Sequence, residues 1–305
     1  MDSSNSNTKA YLALAFICFT WGTTYLALRI GVADFPPLLF AGIRQTMAGL
    51  LLLTFAKLIG KGGRVRWEDI RNQVVPGILM ITIGNGVVAW SAKFIPSGLA
   101  AIIVSIMPIY VVLINLAKGQ RKAVNGTIVA GLFLGLAGLL MIFKDHFTDI
   151  ARPEYFWGAV VMLFSAFGWA LGSVYLKSHP GNNHPFIHAA LQLAIGGIAM
   201  LLVSPFLENW GMVHAMTHDT FWALLYLIAI GSISSYICYL YALRHLPVGL
   251  VSVHAYVNPI VAVLLGYLVL DEQITTITVI AMLTILGSVY LMNRGYQSIS
   301  LTGKK

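Results

Sequence analysis

Ten apolar stretches, each about twenty residues long, follow one another through the chain with only short polar breaks between them. They run approximately over residues 10–30, 37–58, 73–93, 97–117, 124–143, 155–177, 185–207, 219–243, 247–270 and 274–293. A helix rises about 1.5 Å per residue, so each stretch can cross a hydrocarbon layer of roughly 30 Å. Only 10% of the 305 residues are charged and 58% are hydrophobic, whereas a soluble domain carries about a quarter charged residues. The short breaks leave no room for a soluble catalytic domain. The expected class is an all-α membrane protein with ten transmembrane helices, and the lipid bilayer is its first partner.

The net charge of +8 would raise nucleic acid as a partner in a soluble chain. Its distribution gives a different reason. With both termini cytoplasmic, fourteen of the nineteen Lys and Arg residues fall in inside segments; only Arg29, Lys93, Lys144 and Arg152 fall outside, and Arg44 lies within a span. The basic excess is therefore a topology signal of the positive-inside kind, and no nucleic-acid partner is expected. The first apolar stretch lacks a small-x-small cleavage site, so it is expected to stay as a span. Cys18 and Cys238 both fall inside spans, which argues against a disulfide or a metal site, and nothing in the pattern calls for a cofactor.

The chain also repeats itself. FIPSGLAAIIVSIMPI (94–109) and HLPVGLVSVHAYVNPI (245–260) share Pro96/Pro247, Gly98/Gly249, Leu99/Leu250, Pro108/Pro259 and Ile109/Ile260 at an offset of 151. Nearer the start the offset is 148, pairing Phe19 with Phe167, Trp21 with Trp169, Arg29 with Lys177, Pro37 with Pro185 and Gly49 with Gly197. This divides the chain into residues 1–149 and 150–305. Five spans in each half is an odd number, so the second half must enter the membrane from the opposite side. Inverted repeats are a transporter architecture, with the solute site near the midplane between the halves.

Proline removes a helical hydrogen bond and leaves a carbonyl free. Within a membrane such backbone is tolerated where it is buried in protein or faces a wet cavity. Pro108 and Pro259 fall at mid-depth of spans 4 and 9 and are candidate gating kinks, against the plainer reading of kinks for packing. Pro96 and Pro247 fall at helix starts, where proline costs little.

WGTTYLALR near the start, FAGIRQTMAGLLLL in span 2 and AYVNPIVAVLLGYLVLDEQIT late in the chain, together with the two five-span halves, resemble the drug/metabolite transporter superfamily, specifically its ten-helix EamA-type exporters. The resemblance covers nearly the whole chain. It implies a carrier that exports small metabolites, often amino acids or related compounds, from the bacterial cytoplasm, and so a multi-pass protein of the bacterial inner membrane. It also implies a central cavity lined by spans 1, 3, 4, 6, 8 and 9, with 2, 5, 7 and 10 outside. The family's acidic residue after the fourth span of each half is present as Asp271-Glu272 in the second half only; the first half reads AKGQRKAV, with Gln120. A symmetric carboxylate pair is thus not implied.

Polar and aromatic residues at helical spacing mark the inward faces. Span 1 supplies Trp21, Thr24 and Tyr25; span 3 supplies Asn85, with Trp90 just off its face. Ser165, Trp169 and Ser173 lie at i, i+4 and i+8 in span 6, and Ser232, Ser235, Tyr236 and Tyr239 at i, i+3, i+4 and i+7 in span 8. Span 9 supplies His254 and Asn258 on one face, beside Ser252 and Tyr256. Each has a plainer reading as well, because Ser and Thr bond locally in membrane helices and Trp and Tyr anchor interfaces. Trp21 and Trp169 stand out because they occupy matching repeat positions. Walls of Trp, Tyr, Asn and Ser with few charges suit an amphipathic solute.

Two ionisable residues lie within spans. Arg44 is either an anion-binding group or, as the peripheral place of span 2 makes the expectation, a side chain that snorkels outward or bonds a neighbour's carbonyls. His254 titrates near neutral pH and offers a group for proton coupling, though a neutral hydrogen-bonding role needs none. Gly131 and Gly135 form a GxxxG that serves either close helix packing or a dimer face, so monomer and homodimer both remain open. The expected function is secondary export of a small-molecule solute by alternating access, not catalysis. The alternative, an intramembrane enzyme, lacks a nucleophile held against a base, since Ser252 and His254 point to different sides of one helix. A sensor would need a signalling domain.

Overall fold

The computed structural model describes residues 3–33, 35–61, 65–91, 100, 103–142, 153–179, 181, 183–213, 216–270 and 274–302, and no strand occurs among them. Pro96, Asp271 and Glu272 lie outside the described residues, as do Asp34, Lys93, Lys144 and Arg152. The helices are α1 (Ser3–Gly31), α2 (Pro37–Leu58), α3 (Trp67–Ser91), α4 (Met107–Ala117) and α5 (Gly126–Ile142). They continue with α6 (Pro153–Ser178), α7 (Pro185–Leu207), α8 (His218–His245), α9 (His254–Leu270) and α10 (Thr276–Thr302). Among the described residues, eight spans are long and apolar enough to cross a membrane, the one that includes α9 being counted from the short helix Val248–Val251 that precedes it, as Val248–Leu265, while α4 and α5 are shorter apolar helices.

Local chemistry sets several boundaries. Pro37 and Pro185 occupy the first turns of α2 and α7, where a missing N–H goes unnoticed and φ is already helical. Gly60 and Gly119, at φ 71° and 74°, follow the last residues of α2 and α4. Each lets the chain turn back so that Lys61 N–H reaches Ala56 O and Gln120 N–H reaches Asn115 O, both at 2.9 Å. The start of α2 is capped from another helix: the Glu208 carboxylate, just past α7, accepts from Leu38 N–H at 2.9 Å and Leu39 N–H at 3.0 Å. A carboxylate is favoured there by the unpaired amides and the positive end of the helix dipole.

The closest helix pairs are α2 with α7 and α5 with α10. At the first, a Cβ placed on Gly49 would lie 2.5 Å from the Ala194 nitrogen, and one on Gly197 would meet the Thr46 nitrogen as closely. The contact is reciprocal, because the offset of 148 pairs Gly49 with Gly197 and Thr46 with Ala194. At the second, Gly131 and Gly138 lie against Met292, Ser288, Ile285 and Ala281 of α10. Gly135, the second glycine of the GxxxG, lies against Tyr256 and Ser288, so both of its glycines pack within the chain. In the middle, α1 packs on α8 and α9, and α6 packs on α3 and α4. Large apolar side chains such as Leu51, Phe55, Phe133, Leu202 and Phe206 point outward, as an apolar surround requires.

Two of the long helices carry π-helical segments. A π-helical segment occupies Gly77–Gly86 of α3 and another Leu227–Ser234 of α8. These positions correspond under the repeat. A π segment admits an extra residue per turn and displaces carbonyls from the regular ladder. In α8 the hydroxyls of Ser234 and Ser235 donate to the Ala229 and Ile230 carbonyls, five residues back, at 2.8 and 2.6 Å.

Candidate functional site

The first helix of each repeat reads the π segment on which it packs. Trp21 Nε1 of α1 donates to the Gly231 carbonyl at 3.1 Å, and Ser165 Oγ of α6 donates to the Gly84 carbonyl at 2.7 Å. Glycines allow the approach: a Cβ on Gly84 would lie 2.6 Å from the Trp169 ring, and one on Gly22 2.5 Å from Val261 Cβ. Trp21 and Trp169 consequently meet edge to face with ring centroids 5.3 Å apart. Around them stand Tyr239, 5.2 Å from Trp21 and 5.6 Å from Trp169, and His254, 4.8 Å from Trp21. Tyr236 stacks on Tyr239 at 6.1 Å. Such geometries match the ring quadrupoles, and each pair adds about 0.5–1.5 kcal/mol beyond its buried area.

This cluster forms one wall of a central cavity of about 100 Å³. The cavity is lined by Trp21, Thr24, Tyr25 and Leu28 of α1, Arg44 and Gln45 of α2, and Ile81, Gly84, Asn85 and Val88 of α3. Val104 and Met107 line it near the start of α4, Ser165, Ala166 and Trp169 from α6, and Leu193 from α7. Gly231, Ser232, Tyr236, His254 and Asn258 complete it from α8 and α9. No carboxylate is among these residues.

The EamA-like transporter family profile matches the chain twice, over residues 8–144 and 156–294. The chain belongs to the EamA-like transporter family. It is 32% identical over 285 residues to the inner membrane transporter YedA of Escherichia coli K12, covering 93% of this chain and 90% of YedA. To the transporter YoaV of Bacillus subtilis it is 26% identical over 283 residues, covering 93% and 96%. A solved crystal structure shares the fold with a TM-score of 0.77, at 20% identity, over 93% of this chain and 96% of the other.

Of the residues that the sequence singles out in this EamA chain, Trp21, Thr24, Tyr25, Asn85, Trp169, Tyr236, His254 and Asn258 all line the cavity. Ser173, Ser235 and Tyr239 do not; they hold the wall from behind. Tyr239 Oη accepts from Trp169 Nε1 at 3.1 Å and shares a hydrogen bond of 2.6 Å with Ser173 Oγ. Ser235 Oγ pairs with Thr20 Oγ at 2.7 Å, tying α8 to α1. Trp90 is half-buried and outside the cavity lining, and Tyr256 turns away to donate to the Leu132 carbonyl of α5 at 3.1 Å.

The polar groups on α9 are fixed in detail. His254 Nδ1 lies 2.9 Å from the Val251 carbonyl; a carbonyl only accepts, so the proton is on Nδ1 and a neutral ring keeps Nε2 as acceptor. The Asn258 amide nitrogen donates to the Cys18 carbonyl at 3.1 Å and the His254 carbonyl at 2.9 Å. What Asn258 has left for the cavity is its oxygen. Asn85 has no protein hydrogen-bond partner among the described residues.

The two prolines differ from the expectation of matched kinks. Span 4 is broken by a turn at Ser105–Ile106, and Pro108 falls in the first turn of α4, where it needs no compensation. Pro259 lies inside α9, and the turn ahead of that helix, at Ser252–Val253, falls four residues earlier in the repeat than the one at Ser105–Ile106. The carbonyl that Pro259 leaves unbonded, four residues back, is that of Ala255. Ser105 Oγ donates to it at 2.8 Å, so the break in one half satisfies the break in the other.

Arg44 is the residue that sequence reasoning misplaced. It neither snorkels nor bonds backbone: it is 5% exposed, its Nε donates to Ser232 Oγ at 2.9 Å, and it lines the cavity. Spans 2 and 7 thus contribute to the lining through Arg44, Gln45 and Leu193. The available signal was the adjacent polar pair Arg44-Gln45 within an otherwise apolar span. Its repeat partner Gln192 is also buried and continues a second network: Tyr236 Oη donates to Gln192 Oε1, and Gln192 Nε2 to Gln73 Oε1, both at 2.5 Å.

Proposed function

We propose that this protein is a secondary carrier that exports a small amphipathic solute, an amino acid or a related metabolite, by alternating access. The observation that carries the reading is the meeting of Trp21 and Trp169, repeat partners on helices of different halves, at the wall of the central cavity. A site built symmetrically from two halves can be opened from either side by the same motion. Trp and Tyr faces suit an apolar body, and Asn85, Asn258 and Arg44 offer hydrogen bonds.

In this reading residues 1–149 and 150–305 are inverted five-helix repeats making ten spans, with both termini in the cytoplasm of a bacterial cell and the chain in its inner membrane. The reciprocal Gly49–Ala194 and Gly197–Thr46 contacts and the paired π segments support it. So do the fourteen basic residues in segments assigned to the inside. The cavity of about 100 Å³ falls below the roughly 300 Å³ at which typical ligand pockets begin. A solute of amino-acid size requires it to widen, as an alternating cycle does.

The test is counterflow. Liposomes holding the purified protein are loaded with unlabelled amino acids and related metabolites, and uptake of labelled external solute is followed without a pH gradient. Saturable accumulation that depends on the internal load supports the carrier reading. Folded protein that shows none with any solute, with or without an imposed pH gradient, rejects it.

A further inference from the structure

Arg44 lies about a third of the way along α2, in the interior of the bundle. A buried ion without a partner is costly, and intramembrane cations persist where they meet a counter-charge or a function. Here the guanidinium is held on one side only. Its Nε donates to Ser232 Oγ, and that hydroxyl in turn donates to Gln45 Oε1 at 2.9 Å. Ser232 itself is presented by the π segment of α8. Among the described residues the terminal nitrogens have no hydrogen-bond acceptor and the cavity that Arg44 lines has no carboxylate. The chain Gln45–Ser232–Arg44 fixes the plane of the guanidinium and leaves its outer edge unused.

We propose that Arg44 is the anion-recognising residue of this cavity and that the transported solute carries a single carboxylate. The inference rests on the carrier reading above and narrows its substrate class. A planar guanidinium whose Nε is already anchored presents its terminal N–H groups as a fork that fits a carboxylate. Charge decides between anions. One guanidinium among neutral walls balances a monoanion, whereas a dianionic phosphate would leave a net negative charge enclosed in apolar surroundings. The apolar body of the solute then lies against Trp21 and Trp169. An ammonium group, where the solute has one, finds the Asn258 oxygen and the aromatic faces but no carboxylate.

The experiment uses the full chain in liposomes and four matched probes for each of leucine, phenylalanine and threonine: the amino acid, its carboxamide, its deaminated acid and its decarboxylated amine. Competition against counterflow is measured for the native protein and for Arg44→Gln and Arg44→Lys, with melting temperatures of all three in detergent. The expected result is that probes with a carboxylate compete and those without it are weaker by about tenfold or more, the usual scale for losing a charged hydrogen-bonded partner. Arg44→Gln abolishes that preference, and Arg44→Lys retains part of it. Amides and amines that compete as well as the acids in the native protein overturn the proposal while the carrier reading stands, and this arm needs no variant to fold. Counterflow that is absent with every probe rejects both together.

Discussion

The ammonium of Lys177, at the end of α6, donates to the carbonyl oxygen of Leu246 at 3.0 Å, in the link between α8 and α9. The same nitrogen takes the Leu243 and Arg244 carbonyls at 2.7 and 2.9 Å. These are carbonyls at the C-terminal end of a helix, where a cation is favoured. Lys177→Met removes three donors at once. The expected result is faster hydrogen exchange in peptides covering residues 243–251, with peptides of α2 and α7 unchanged. Unchanged exchange at 243–251 would show that other contacts hold that end of the bundle.

Removing either tryptophan should impair transport alike. Trp21→Ala and Trp169→Ala are each expected to lower counterflow by at least about tenfold, since each strips two or more ring contacts and an indole hydrogen bond. Membrane insertion and the size-exclusion profile should stay normal. Two fully active variants would remove the symmetric site.

The α2–α7 crossing predicts a steric outcome. Gly49→Leu and Gly197→Leu force side chains into neighbouring backbone and should each destabilise by about 1–3 kcal/mol, the range for overpacking. Gly126→Ala at the start of α5 meets open space and serves as the control. Melting curves in detergent decide; glycine variants as stable as the control would mean that the two helices separate freely.

Gln192→Leu cuts the chain from Tyr236 to Gln73 and leaves both without the buried partner they have now. A loss of about 1–3 kcal/mol is expected, as for other orphaned buried polar groups. The double variant Gln73→Leu/Gln192→Leu should recover part of that loss, a coupling that a thermodynamic cycle measures directly. Additive losses would place the two glutamines in separate environments.

How far these features were legible in the sequence follows the physics of each signal. The limits of α2 and α7 could be read to the residue at their starts, because proline at the first turn is a local constraint. The pairing of Trp21 with Trp169 came from the repeat. The serine and tyrosine stripe of α8 was read as one inward face, yet its members reach different helices: Ser232 to α2, Ser235 to α1, Tyr236 to α7 and Tyr239 to α6. Helical spacing reports direction, but α8 has neighbours on several sides. The π segments escaped because one extra residue does not change an apolar pattern. Arg44 escaped because its side chain is long enough for either fate, and only the position of Ser232 decides between them.

The two π segments also bear on how the walls of the cavity can move. A regular helix is a stiff rod, and a push at its middle is felt at both ends. In α3 and α8 the ladder changes register part-way, next to Asn85 in one and at Ser232 in the other. Each of these helices is therefore a jointed rod whose joint lies beside the cavity. In the carrier reading proposed above, a passenger in the cavity would rest against the two places where the backbone ladder changes register.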